Sequence, residues 1–249
     1  MVFCAPASTV YEQLRSAFSD LVTEHGLGRD RMEVTCVRLT AEEAIGRPRH
    51  DDYPIIRGRE FMVAATLGEA VGQAFTDTWR GDYVADLKDI VAMPLTDNYE
   101  RSVFVASLNA VCRSLGLADG TVHCKDDEPL ECADRLADHL IERHPSTQKV
   151  LLVGCQPRMI AALSKRFDLR VNDLDADNIG TKKSGIAIDG PDRLEENLEW
   201  ADCALVTGTT IVNGTLDDFR DKVPTVYYGV TVAGTAHLLG LDRFCHCGR

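Results

Sequence analysis

The sequence predicts an α/β fold in two parts, a small α+β unit over residues 1–120 and a parallel-sheet unit over residues 121–249. Short apolar runs bounded by turn formers recur at 149–153, 168–172, 203–206 and 225–228, and helical patterns fall between them. That alternation is the signature of a doubly wound parallel sheet. The first part instead shows one amphipathic helix, one strand and a hairpin, which is the make-up of an α+β unit.

Val10, Leu14, Ala17, Phe18, Leu21 and Val22 recur at helical spacing and predict a helix over 9–24 that stops near Gly26. Met32 to Leu39 alternates with β-branched content and reads as a strand. Phe61–Leu67 and Ala70–Thr76 flank Gly68-Glu69, a pair whose leading glycine suits a type II′ hairpin. Residues 46–60 form a long connection dense in both signs of charge, either a lid that contacts a ligand or a solvated loop. His50, Asp51 and Asp52 within it make a poor metal set, because adjacent loop positions seldom converge on one point. Phe104, Ser107, Leu108, Val111 and Leu115 mark one face of a helix over 99–115 with Gly116 as its stop; Asn109 inside it is a buried or ligand-facing amide, or simply an exposed one.

Pro129 and the acids before it start a further helix with Ala133, Leu136, Ala137, Leu140 and Ile141 on its apolar face. The turn after the 149–153 strand begins at Gly154, and the 168–172 strand ends in Asp173-Leu-Asp175. Strand, glycine, helix, strand and acid is the layout of a dinucleotide-binding unit, but a single glycine followed by Cys-Gln-Pro replaces G-x-G-x-x-G, so a nucleotide is not supported. Residues 178–192 show no firm element, Leu194–Trp200 reads as a short helix, and 236–239 reads as a last short turn or helix.

The stretch around which the second part is organised is Cys203 to Asp218: a buried strand, a loop over 207–214, and a helix start with Thr215 as N-cap and Asp217 and Asp218 in its first turn. Carboxyl ends of strands followed by helix N-termini are where open α/β sheets bind ligands. The candidate ligand-binding residues are therefore Gly154, Thr207, Gly208, Thr209, Thr210, Asn213, Gly214 and Thr215; the alternative is an ordinary capped turn.

A net charge of -12 without a basic stripe opposes nucleic acid as a partner. No apolar run is long enough to span a membrane and the start lacks the pattern of a signal peptide, so the expected location is the cytoplasm. Nine cysteines, an odd number, argue for thiols rather than a disulfide framework, and no pair has C-x-x-C spacing. His123, Cys124 and Cys132 stand out as a soft-ligand set, with Cys132 near a helix N-terminus that favours thiolate. The spacing excludes the zinc-deaminase signature. The alternative is a linker with buried cysteines and helix-capping acids. Cys245-His-Cys247 can bind a soft metal, but at an expected frayed end it reads as adventitious.

Gly-Gln-Ala-Phe-Thr-Asp at 72–77, Ser-Leu-Asn-Ala at 107–110, Leu-Val-Gly at 152–154 and above all Thr-Gly-Thr-Thr-Ile-Val-Asn-Gly-Thr at 207–215 resemble the putative heavy-metal chelation domain family. The resemblance covers nearly the whole chain. It implies an enolase-N-terminal-like α+β domain followed by a Rossmann-like domain, a site in the cleft between them, and a link to metal chelation. Thr207, Gly208, Thr209, Asn213 and Thr215 carry the family motif. The 123–129 stretch resembles only part of the family, so its importance rests on its chemistry.

Two readings of function follow. The first is binding or handling of a soft transition metal, or of a metal-bearing small molecule, in the cleft. The second is an enzyme acting on an anionic, phosphorylated or nucleotide-like small molecule held at helix N-termini. No catalytic residue and no metal identity are assigned, and the oligomeric state stays open between a monomer and a homo-oligomer.

Overall fold

A computed structural model of the chain describes residues 9–27, 33–50 and 52–249, and every structural statement below concerns these residues. Helix α1 (Val10–Glu24) opens on a capping box in which Thr9 and Glu12 satisfy each other's backbone N–H. Strand β1 (Glu33–Leu39) follows; Met32, expected to begin it, lies outside the described residues. A five-residue helix, α2 (Ala41–Ile45), capped by Thr40, precedes the long connection. Strands β2 (Phe61–Leu67) and β3 (Ala70–Thr76) form the expected hairpin, paired from Phe61↔Thr76 to Leu67↔Ala70. Strand β4 (Tyr83–Asp86) and helix α3 (Leu87–Val91) were not legible, being too short to show a period. Helix α4 (Asn98–Ser114) starts on Asp97, whose side chain accepts from Glu100 N.

The second half runs α5 (Glu128–Arg143), β5 (Lys149–Val153), α6 (Pro157–Leu163), β6 (Asp168–Asn172), β7 (Lys182–Lys183), β8 (Ile186–Asp189), α7 (Leu194–Trp200), β9 (Cys203–Thr207), α8 (Thr210–Asn213), β10 (Thr225–Tyr228), α9 (Ala233–Leu239) and β11 (Arg243–Phe244). Two sheets result, an antiparallel one in the order β3-β2-β1-β4 and a larger one in the order β11-β10-β9-β5-β6-β8-β7. All neighbours in the larger sheet are parallel except β7 and β8. Strand β5 lies between β9 and β6, so the chain winds away from it in both directions, and a crevice opens at their carboxyl ends. No helix is long and apolar enough to cross a membrane.

Alternation along the central strands sorts the core. Val150, Leu152, Leu205 and Val226 face the layer of α5 and α6, whereas Leu151, Val153, Ala204, Val206 and Tyr227 join a core that contains α1 and α4. The two halves thus share one apolar core across residue 120. Helix α4 is its axis, buried along Ser102 to Cys112 without a break.

The helix is clasped at two glycines. A Cβ on Gly72 of β3 would stand 2.2 Å from Ala110 N and 2.3 Å from Ala106 O, and one on Gly234 of α9 would stand 2.9 Å from Leu108 Cγ. Between the glycines Asn109, fully buried, donates to the carbonyls of Gln73 (2.9 Å), Val230 (3.2 Å) and Thr231 (3.0 Å) and accepts from Gly234 N (2.7 Å). The amide that the sequence left open is therefore structural.

Asn109→Ala is expected to cost about 3 kcal/mol or more in urea unfolding, because it strands three buried carbonyls and the Gly234 N–H without partners. Asn109→Asp, nearly the same shape, is expected to do no better, since a carboxylate has no hydrogen to give three carbonyls; a stable Asp variant would show that shape rather than hydrogen bonding matters. A fragment beginning near Asp126 bares the sheet face that α1 and α4 cover. It should associate in solution or fail to unfold cooperatively.

Candidate functional site

A cavity of about 790 Å³ opens over the carboxyl ends of the parallel strands. Residues just past β5, β6, β9 and β10 form its floor: Gly154, Asp173, Gly208 and Gly229. The first half supplies the opposite wall through Tyr53, Glu60, Phe75, Asp77 and Asn98. Of the eleven sequence-predicted site residues, Gly154, Thr207, Gly208, Thr209, Thr210, Asn213, Thr215, His123, Cys124 and Cys132 line this cavity. Gly214 does not. Its left-handed backbone (φ 79°) closes α8, and a Cβ there would meet the Arg101 guanidinium at 2.9 Å.

The threonine segment differs from its expected shape. The helix begins at Thr210 rather than Thr215, and Thr215 precedes only a single 3-10 turn over Leu216–Asp218 without capping it through its side chain. Packing decides this: Ile211 and Val212 are wholly buried in the shared core, which winds the chain one turn early. Thr210 Oγ1 donates to Thr207 O at 2.9 Å, and Gly208 is required because a Cβ would come within 2.9 Å of Val232 N. These two residues shape the segment. Thr207 and Thr209 share a hydrogen bond between hydroxyls at 3.1 Å, while the side chains of Asn213 and Thr215 find no partner among the described residues and line the cavity.

The turn after β5 is closed to a pyrophosphate. Gly154 N–H goes to Asn172 O (2.9 Å), Cys155 N–H to Asp173 Oδ2, and Gln156 N–H to Gly154 O (2.9 Å), so each donor of the turn is spent internally. The Tyr228 hydroxyl donates to Val153 O at 2.9 Å and stands 2.9 Å from where a Gly154 Cβ would be. The expected acid, Asp173, holds the turn and the Asp175 N–H (2.7 Å) instead of a ribose. Helices α6 and α8, with 7 and 4 residues, are too short to offer an anion a sustained dipole.

Acidic side chains set the field. Glu60, Asp77, Asp173, Asp175 and Asp218 line the cavity; the basic residues there, Arg59 and Arg158, are engaged by Asp175 and Asp177 and by Asp52 respectively. Asp52 is thereby committed to Arg158, and Asp51 lies outside the described residues, so the His50–Asp52 run assembles no metal set. Burial pushes the Glu60 carboxyl up to about 7, and Asp173, Asp175 and Asp77 add to the push. Sequence reasoning missed Glu60 and Asp77. Both sat in segments it singled out, the long connection and the 72–77 motif, but neither segment has a period that shows which side chain turns inward.

His123 is placed from three sides. Its N–H donates to Gln73 Oε1 (2.8 Å), its ring meets Phe75 edge-on at 5.3 Å, and its Nδ1 lies 2.6 Å from Cys124 O. A carbonyl can only accept, so Nδ1 carries the proton and Nε2 keeps the lone pair. Burial holds the imidazole below its ordinary value and so neutral. Cys124 Sγ sits 3.9 Å from Nδ1, and burial followed by the Cys132, Cys245 and Cys247 thiols pushes its ionisation far up. The end of the sequence is therefore not frayed. Val122 and Arg249 exchange backbone hydrogen bonds at 2.9 and 2.8 Å, which seats Cys245 against the cavity. Even so, among the described residues no three His, Cys, Asp or Glu side chains already converge as a metal site.

Glu60 carries a pH signature. Because its folded value (about 7) exceeds the 4.5 of a free carboxyl, its stabilising contribution is complete below 4.5 and is lost as pH rises through about 7. Glu60→Gln is expected to unfold at higher urea than the parent at pH 8, by about 1–3 kcal/mol, with the gap closing near pH 4. A gap that is the same at both pH values would remove Glu60 from this role.

The sequence model of the family described as "Putative heavy-metal chelation" (DUF364) matches residues 137–238. A crystal structure of a DUF364 protein of unknown function from Pyrococcus horikoshii aligns with TM-score 0.52 at 15% identity, over 90% of this chain and 79% of that one. A second, from Desulfitobacterium hafniense DCB-2, aligns with TM-score 0.47 at 15% identity, over 72% of each chain. No curated protein matches in sequence. The first alignment supports the fold, an antiparallel sheet joined to a largely parallel one. Over residues 137–238 this chain is thus similar in sequence to the DUF364 family, and over most of its length it is similar in fold to a solved member of that family.

Proposed function

We propose that the cavity binds a soft or borderline transition metal carried by a small molecule, with His123, Cys124 and Cys132 as the protein's own ligands. The observation that carries this reading is the His123 ring. Its Nδ1–H is tied to a backbone carbonyl and its neutral Nε2 is left with a lone pair, the arrangement by which proteins orient an imidazole for a metal. Imidazole and thiol together suit borderline and soft ions.

Two further features favour a metal-bearing molecule over a bare ion. A cavity of about 790 Å³ is far larger than an ion needs. The protein also lacks three preassembled donors among its described residues, so the carrier would supply part of the coordination shell. The hydroxyls of Thr207, Thr209 and Thr215 and the amide of Asn213 would hold the organic portion, and the acidic wall would favour a cationic chelate over an anion. That same wall, with the spent donors of the Gly154 turn, weighs against the anionic or phosphorylated substrate of the second reading.

Tag-free protein titrated with Co²⁺ alone and with Co²⁺ bound to free histidine provides the test. The complex should bind more tightly than the bare ion and show a sulfur-to-cobalt charge-transfer band. His123→Ala and Cys124→Ser should each weaken it by about 10- to 100-fold. Asn213→Ala should weaken the complex more than the ion while moving Tm by less than about 2 °C, since its amide makes no internal hydrogen bond to lose. Unaltered cobalt binding by His123→Ala would overturn the reading.

A further inference from the structure

The last residues of the sequence are held where they bring a second pair of sulfurs beside α5. Strand β11 adds to β10 at Tyr227 and Tyr228, Arg243 donates to the carbonyls of Asp119 (3.0 Å) and Gly120 (2.6 Å), and Arg249 pairs with both Val122 and Glu128. Two glycines are needed for this path. A Cβ on Gly248 would lie 2.6 Å from Cys245 Sγ and 3.0 Å from Gly120 Cα, while Gly120 itself has φ +60°.

Cys247 then comes beside Cys132, which lies one and a half turns into α5. Cys247 Sγ lies 3.6 Å from the carbonyl of Glu128, one turn before Cys132 on the same helix, and packs against the apolar cluster that contains Cys132. Cys132 is buried and lines the cavity, and Phe244 belongs to the same cluster. Two neighbouring thiols on one apolar cluster differ from the His123 arrangement. They offer sulfur only, and they offer two donors.

We propose that Cys132 and Cys247 form a two-sulfur site for a soft monovalent ion of the Cu(I) class. Two thiolates satisfy a d¹⁰ monovalent ion, whereas a structural zinc site takes four ligands, and soft sulfur donors select Cu(I) from the first-row ions. Binding exchanges two S–H protons, released to water, for two sulfur-metal bonds: Cu⁺ plus two thiols gives a dithiolate complex of charge -1 and two H⁺, with no change of oxidation state. Arg249, bonded to Glu128 beside the pair, is the nearby cation. This inference rests on the soft-metal reading above and shares Cys132 with it, but moves the second ligand from the 123–124 segment to the end of the sequence.

The test uses the full tag-free chain under anaerobic conditions, with Cu(I) partitioned between the protein and a coloured Cu(I)-specific chelator. Cys247→Ser and Cys132→Ser are each expected to weaken Cu(I) by at least about 100-fold, while His123→Ala and Cys124→Ser change it by less than about threefold. X-ray absorption should show two sulfur neighbours and no nitrogen. Should Cys132→Ser fail to fold, Cys247→Ser, at a half-buried position, carries the comparison alone. Cu(I) held as tightly by Cys247→Ser as by the parent overturns the proposal, and so does a nitrogen neighbour. Loss of Cu(I) in Cys247→Ser with cobalt binding unaffected by His123→Ala sustains the sulfur pair and removes the histidine site; the opposite pattern removes the pair and leaves the histidine site standing.

Discussion

A single buried amide, that of Asn109, ties α4 to β3, to the turn after β10 and to the start of α9. None of these pieces shares a strand ladder with another, so their relative position depends on this set of four hydrogen bonds and on the close approaches at Gly72 and Gly234. In a dry interior such a set strengthens when complete and costs several groups at once when broken. It also limits what can surround it: only glycine fits against the helix backbone on the β3 side.

The cavity is a consequence of that clasp. An open parallel sheet presents a crevice at its switch point, but by itself the crevice is a shallow edge. Docking β3 against α4, and α4 against α8 and α9, brings Phe75, Asp77 and Glu60 over the strand ends and turns the edge into an enclosed space. Its chemistry then depends on what the turns leave unspent. The Gly154 turn spends its N–H groups on Asn172, Asp173 and itself, whereas Asn213 and Thr215 spend nothing on their surroundings. On the reading proposed above, a turn with its backbone donors consumed beside crowded carboxylates suits a positive or metal-bearing guest better than a phosphate.

The segment 121–124 links the two ideas. Gln73 N–H donates to Thr121 O on one side and Val122 pairs with Arg249 on the other, so His123 and Cys124 are presented from a short hydrogen-bonded seam between the first sheet and the end of the sequence. The thiols of Cys124, Cys132, Cys245 and Cys247 gather at that seam although they come from three separate stretches of chain. Their gathering rests on backbone pairing and on Gly120 and Gly248.

Local pattern by itself determined the elements. The apolar spacing from Val10 to Val22 announces α1, the hairpin at Gly68 and strands β5 and β6 stand where their apolar runs and turn formers place them, and the 207–215 motif marks the sheet edge that lines the cavity. These features depend on neighbours within one or two turns of chain, which a sequence displays directly. Tertiary structure alone decided the rest. Helix α8 starts at Thr210 because burying Ile211 and Val212 outweighs the capping preference of Thr215. Asn109 points inward because β3 and α9 bring carbonyls to it, and Glu60 holds its proton because carboxylates from β6 and β3 converge on it. Cys247 reaches Glu128 O beside Cys132 because β11 docks on β10 and carries the following residues back to α5. In each case the deciding partner lies far away along the chain, and the free energy of the contact belongs to the packed pair, so neither residue's own neighbourhood records it.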